Sequence, residues 1–195
     1  MNPFRLFTLM VTLLVLSGCA APVIMGAGAA GAVVATQDER SAATIAADES
    51  LELKAADIAR RDQQLAASAH LNFTAINGIV LITGEAPASQ PLGRLQAEIG
   101  KLDKVREVRN EAVVGPVSSM SSRSQDSWIT TKVKSRMVAE KNFRANRIKV
   151  VTEQQTVYLM GVVTKHEGFV AGVIARDIDG VKRVVKMFEY IDQAS

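Results

Sequence analysis

Few side chains in this 195-residue chain could do chemistry, and they stand apart from one another. Cys19 is the only cysteine, so no disulfide can form within the chain, and the two histidines, His70 and His166, are too distant to build a Cys/His metal cluster by spacing. The serines gather in a stretch that reads as linker, where nothing would hold a proton-transfer geometry, so an enzyme is the poorest of the function classes. Gly84 and Gly161 occur without a phosphate-loop pattern, and no cofactor is implied. One constellation remains. Trp128, the only tryptophan, lies among Lys132, Lys134 and Arg136, with Ile129, Val133 and Met137 at four-residue intervals through the same stretch. An amphipathic helix of this kind suits an apolar–polar boundary with negative charge, because indole favours the interface and each base near an anionic surface contributes about 1 kcal/mol. The competing reading is that the apolar members pack on a sheet while the bases form a solvated face.

Those bases belong to the more basic half of the chain. The formal net charge is +3, but residues 38–115 carry 9 basic and 12 acidic side chains, whereas residues 123–195 carry 13 and 8. An anionic partner is therefore sought for the second half. Apolar residues make up 48% and aromatics only 5%, so a core must be built mostly from Val, Ile, Leu, Ala and Met.

The thiol of Cys19 has a use that needs no partner side chain. Arg5 precedes an apolar run over 6–16, too short to span a bilayer, where about 20 residues are needed, and suited to an export signal. Leu16-Ser17-Gly18-Cys19 resembles a bacterial lipobox, in which the cysteine is acylated and becomes the first residue of the mature chain. Each buried CH₂ contributes about 0.8 kcal/mol, so two or three acyl chains hold a protein at a membrane effectively permanently. Ala20, in place of Asp, resembles the pattern of lipoproteins passed on to the outer membrane. Residues 20–36 are small and uncharged but interrupted by Pro22, Gly26, Gly28 and Gly31, which favours a membrane-proximal tether over the competing transmembrane helix. Export also removes nucleic acid as a partner.

The remainder repeats. "LNFTAINGIVLITGE" (71–85) lies over "IKVVTEQQTVYLMGV" (148–162) at an offset of 77, and "LDKVREVRN" (102–110) over "IDGVKRVVK" (178–186) at 76. The 77 offset also sets Leu51 on Trp128. Each copy reads as helix, strand, strand, helix, strand, an α+β unit with a three-stranded sheet and two helices on one face. Asp126 or Ser127 is the expected cap of the helix with Trp128. Asn77-Gly78 predicts a tight hairpin turn, because both residues tolerate positive φ, whereas Gln154-Gln155 predicts a longer or different one. Gly84 and Gly161 are expected to end the second strand, allowing a special backbone angle or close approach of the following helix. Those following helices are expected over 89–101 and 165–177, the latter with Phe169, Val170, Val173 and Ile174 as its apolar face. The last strands are expected over 105–113 and 181–191.

The ordered set "SLEL" (50–53), "GIVLITGE" (78–85), "VREVRNE" (105–111), "DSWITTKVKSRM" (126–137), "VYLMGVVT" (157–164) and "GVKRVV" (180–185), behind a lipobox, resembles the dual BON-domain outer membrane lipoproteins of Gram-negative bacteria. The resemblance implies a signal over 1–18, a lipidated Cys19 and tether to 44, BON domains over 45–114 and 126–192, and a Ser/Gly linker over 115–125. It further implies a non-enzymatic protein, anchored by acyl chains with its domains facing the periplasm, that supports the envelope barrier. In such proteins the first helix of the second domain contacts anionic phospholipid; here it carries Trp128, Ile129, Lys132, Val133, Lys134, Arg136 and Met137. The alternative is an adaptor for envelope-assembly, cell-wall or division proteins without lipid recognition of its own.

Overall fold

The computed structural model describes residues 40–192. The signal, Cys19 and the tether up to residue 39 lie outside the described residues. The first repeat runs α1 (Ala42–Arg61), α2 (Gln63–Ser68), β1 (His70–Ile76), β2 (Ile79–Ala86), α3 (Ser89–Ile99), β3 (Glu107–Asn110) and the short β4 (Val113–Val114). The second runs α4 (Met120–Ala139), a 3₁₀ turn (Ala145–Arg147), β5 (Ile148–Glu153), β6 (Thr156–Thr164), α5 (Lys165–Arg176) and β7 (Arg183–Ile191). In each sheet the middle strand pairs antiparallel with the strand before it and parallel with the strand after α3 or α5. The Ser41 hydroxyl accepts from the Thr44 amide to open α1. Asp62 ends α1 and accepts from the Gln64 and Leu65 amides to open α2.

Alternation along the middle strands sorts each sheet into two apolar faces. Val80 and Ile82 join Leu51, Ala55, Leu92, Leu95 and Ile99 in the first core, and Val157 and Leu159 join Ile129, Val133, Met137, Ala171 and Ala175 in the second. Their neighbours point the other way. Leu81 and Ile76 meet Tyr158 and Met160 in a third cluster, with Ile79, Val151, Val185 and Met187 around it. The two sheets therefore pack back to back, with helices on the outside. Salt links and hydrogen bonds frame that seam. Lys149 Nζ lies 2.7 Å from Glu52 Oε1 and donates to the Ala75 carbonyl, Arg106 lies 2.7 Å from Glu189 Oε1, and Asn77 Nδ2 donates to the other Glu189 oxygen. Burial tends to raise the Glu189 carboxyl, but the bonds from Arg106 and Asn77 outweigh it and hold it below its ordinary value.

Several expectations change. Helix α4 starts six residues before Asp126: Ser119 is the cap, accepting from the Ser122 amide, and the tail of the expected linker is its first turns. Asp126 is instead buried, and its two oxygens accept from the Gln154 and Gln155 amides at 2.9 and 2.8 Å. Asp48 does the same for Asn77 and Gly78 at 2.7 and 2.9 Å. Both hairpins turn through the same two-residue, positive-φ geometry, Asn77-Gly78 at 48° and 76° and Gln154-Gln155 at 47° and 61°. The second turn is thus neither longer nor of another type. A charged acceptor on two partly buried amides offsets the strain of two left-handed glutamines, which costs of order 1–3 kcal/mol each.

Gly84 and Gly161 lie inside β2 and β6 rather than at their ends, and the close neighbour is the start of β1 for Gly84 and the 3₁₀ turn leading into β5 for Gly161. A Cβ would come within 1.9 Å of the His70 carbonyl oxygen at Gly84 and 2.4 Å of the Arg147 carbonyl oxygen at Gly161; Gly84 also has φ +109°. The first repeat's last strand is split in two, β3 and β4. Aspartate 126 gives the sharpest test of this construction. Asp126→Ala should lower unfolding free energy by about 2–3 kcal/mol, the scale of two charge-assisted bonds lost with a buried carboxylate, measured by urea denaturation. Asp126→Asn should recover part of the loss, since it keeps one acceptor.

Candidate functional site

The anchored turns fix the rotation of α1 and α4, and that decides which side chains face outward. Setting Asp48 on Asp126 gives a helix offset of 78, so Leu51 matches Ile129 and not Trp128. The first repeat has one more residue between helix and strand, which is why the strands align at 77. One residue on a helix is a rotation of about 100°. Accordingly Ile129, Val133 and Met137 are 0%, 0% and 1% exposed and belong to the core, a correction to their expected role as lipid contacts. Trp128 is 49% exposed, and Lys132, Lys134 and Arg136 are exposed.

Spacing divides the outward residues further. Trp128, Lys132 and Arg136 recur every four residues and form one stripe, whereas Lys134 lies on the other flank of the helix. Lys132 Nζ sits 5.3 Å from the Trp128 ring centroid, a cation–π contact. Among the described residues no carboxylate pairs with Lys132, Lys134 or Arg136. The α1 stripe corresponding to Trp128, Lys132 and Arg136 is Ser50, Lys54 and Ile58, with neither the indole nor the second base.

Helix α5 adds a surface that the apolar pattern misassigned. Phe169 and Val173 are 63% and 41% exposed, while Gly168, Ala171, Gly172 and Ala175 face the sheet. A Cβ on Gly168 would meet Tyr190 and Phe188 at 2.9–3.0 Å, and one on Gly172 would meet the Lys186 side chain. The four-residue spacing of two glycines was the signal for a close-packed face. Lys186 Nζ lies 6.0 Å from the Phe169 ring, so a second aromatic–base pair lies on the outside of the second repeat.

Thr164 and Glu167 open α5 with a capping box, and Arg144 Nε is 2.9 Å from Glu167 Oε1. Burial pushes the Glu167 carboxyl up, but the Thr164 backbone and hydroxyl bonds together with Arg144 prevail and hold it below its ordinary value.

The seam holds one further group of titratable side chains. His70 Nδ1 is 3.8 Å from Glu85 Oε2, and donor atoms of His70, Glu85 and Glu153 all lie within 4.8 Å of one another. Glu85 Oε1 accepts from Gln154 Nε2 at 2.7 Å and Glu153 Oε2 from Asn72 Nδ2 at 2.9 Å. Burial raises the Glu153 carboxyl; the Asn72 bond opposes this and the Glu85 charge adds to it. Among the described residues no helix is long and apolar enough to cross a membrane.

The BON domain model matches residues 47–116 and 125–192, and the chain belongs to the BON-domain family. It is 39% identical over 188 residues, 96% of either chain, to Outer membrane lipoprotein DolP of Haemophilus influenzae. It is 35% identical over 154 residues, 79% of either chain, to a 21 kDa hemolysin of Actinobacillus pleuropneumoniae. The solved structure of CdsD, a structural protein of the type III secretion system of Chlamydia trachomatis, is 13% identical, covers 74% of this chain and 63% of that one, and superposes with a TM-score of only 0.29, too weak to bear on fold or function. The chain is thus an outer membrane lipoprotein with two BON domains, from a family not known for enzymes.

The lowered Glu167 value gives a pH test. Its contribution is complete above the ordinary carboxylate range and fades as pH falls through the lower folded value. Glu167→Gln should therefore lower the thermal midpoint at pH 7, by the equivalent of about 1 kcal/mol for a lost cap, with the gap to the unmodified protein closing in acid.

Proposed function

We propose that this lipoprotein reads anionic phospholipid with the outer stripe of α4, and that it supports the envelope barrier without catalysing a reaction. The single observation that carries the reading is the half-exposed Trp128 stacked by Lys132, with Arg136 one turn further and no carboxylate in the stripe. Indole inserts at the headgroup level while the bases meet phosphate. Cys19 carries the acyl chains and supplies the anchoring energy, with the domains on the periplasmic side, so the stripe needs only a weak preference among lipids already beside it. Lys134, on the other flank, contributes less. The exposed Phe169 and Val173 edge of α5 favours a second reading, an adaptor for envelope proteins.

Vesicle binding separates these readings. The chain from residue 20 onward, without acyl chains, should bind phosphatidylglycerol-containing vesicles more tightly than phosphatidylcholine vesicles, with a blue shift of its only tryptophan. Each of Lys132→Gln and Arg136→Gln should weaken binding about fivefold, corresponding to about 1 kcal/mol per base; Lys134→Gln should matter less. Trp128→Glu should abolish the preference while leaving the far-ultraviolet circular dichroism unchanged. Equal binding to both vesicles, or none, would overturn the lipid reading and leave the adaptor.

A further inference from the structure

We propose that His70, Glu85 and Glu153 form a site for a zinc-class divalent cation that ties the two BON domains together. Two buried carboxylates from different domains face each other across the seam, and among the described residues neither is paired with Lys or Arg. Burying such a pair of like charges is costly unless a cation or proton compensates it. The third member points to a metal. His70 Nδ1 is buried without a hydrogen-bond partner, and 3.8 Å from Glu85 Oε2 it is too far to share a proton but suitably placed to share an ion. One imidazole nitrogen and two carboxylate oxygens are a donor set for Zn²⁺, whereas Mg²⁺ and Ca²⁺ favour oxygen alone.

The geometry needs little change. Tetrahedral donors about 2.0–2.2 Å from zinc lie roughly 3.4 Å apart, and the three present lie within 4.8 Å of one another. Side-chain rotations of about an ångström close the set, and His70, 27% exposed, has room to turn. Outer partners already aim the carboxylates: Asn72 Nδ2 holds Glu153 Oε2, while Gln154 Nε2 and the Ser118 hydroxyl hold the two oxygens of Glu85. A cleft of about 600 Å³, lined by His70, Asn72, Asp126 and Glu153 with Arg123 also on its wall, opens beside two of the three ligands and gives the ion an entry path. Because β1 and β2 supply two ligands and β5 the third, bound zinc stabilises the seam as well as filling it.

Isothermal titration of the metal-stripped full chain in detergent with Zn²⁺ tests this. One equivalent should bind, and Co²⁺ should give d–d absorption of a low-coordinate N,O site. His70→Ala and Glu153→Gln should each weaken Zn²⁺ binding at least tenfold, and Asn72→Ala by about 10–100-fold, the range for outer partners of a metal ligand; His166→Ala, changing the only other histidine, should have no effect. Zinc should raise the thermal midpoint of the unmodified protein and not that of His70→Ala. Absence of saturable binding, undiminished binding by His70→Ala, or loss of binding in His166→Ala would overturn the proposal. If Glu153→Gln does not fold, His70→Ala alone decides, since that side chain sits partly exposed at the edge of β1 and its loss leaves both cores intact.

Discussion

A carboxylate from the first helix of each repeat grips both amides of the facing hairpin turn, and most of the architecture follows from that contact. Asp48 and Asp126 are buried, and each closes its turn with two short bonds. The contact ties a helix to a sheet at one point and so fixes the helix rotation, since a carboxylate one position along would point about 100° away. The core stripe of each helix and its outer stripe are then settled together. Ile129, Val133 and Met137 go inward, and Trp128 with Lys132 and Arg136 is left outside.

The second constraint is that each sheet has two apolar faces and only one layer of helices. A face of Leu, Ile, Met and Tyr left in water would be a large exposed patch. The repeats solve this by turning their bare faces to each other, each fully buried large side chain contributing roughly 1.5–3 kcal/mol. Helices then lie on both outer surfaces, so the α4 stripe and the Phe169 edge of α5 remain available while the sheets are covered. The seam also brings polar side chains of the two repeats into contact, which no single domain could do.

Much of this was legible in the chain. The repeat, the succession of elements along each copy, the helix–sheet division and the amphipathic α4 follow from periodicity and self-comparison, because side-chain period reports local backbone geometry directly. The errors have specific causes. Gln154-Gln155 looked unlike Asn77-Gly78 because turn propensity ignores a charged acceptor supplied from a distant helix. Phe169 and Val173 looked like core because hydrophobicity outweighs size in a sequence pattern, whereas here two glycines let the helix sit so close to β7 that larger residues are turned outward. The Leu51–Trp128 match failed by one residue, which is invisible to a sequence offset and decisive on a helix.

The sequence by itself determined that two α+β repeats follow an apolar N-terminal stretch that contains the only cysteine, with the only tryptophan among bases in the second copy. Only the tertiary structure decided which of those residues reach solvent, that the sheets meet back to back, and that His70 and Glu85 come to lie beside Glu153, some seventy to eighty residues further along. The physical reason is range. Period and propensity express interactions between residues a few positions apart, while helix rotation and domain docking are set by contacts between segments whose separation in the chain carries no pattern.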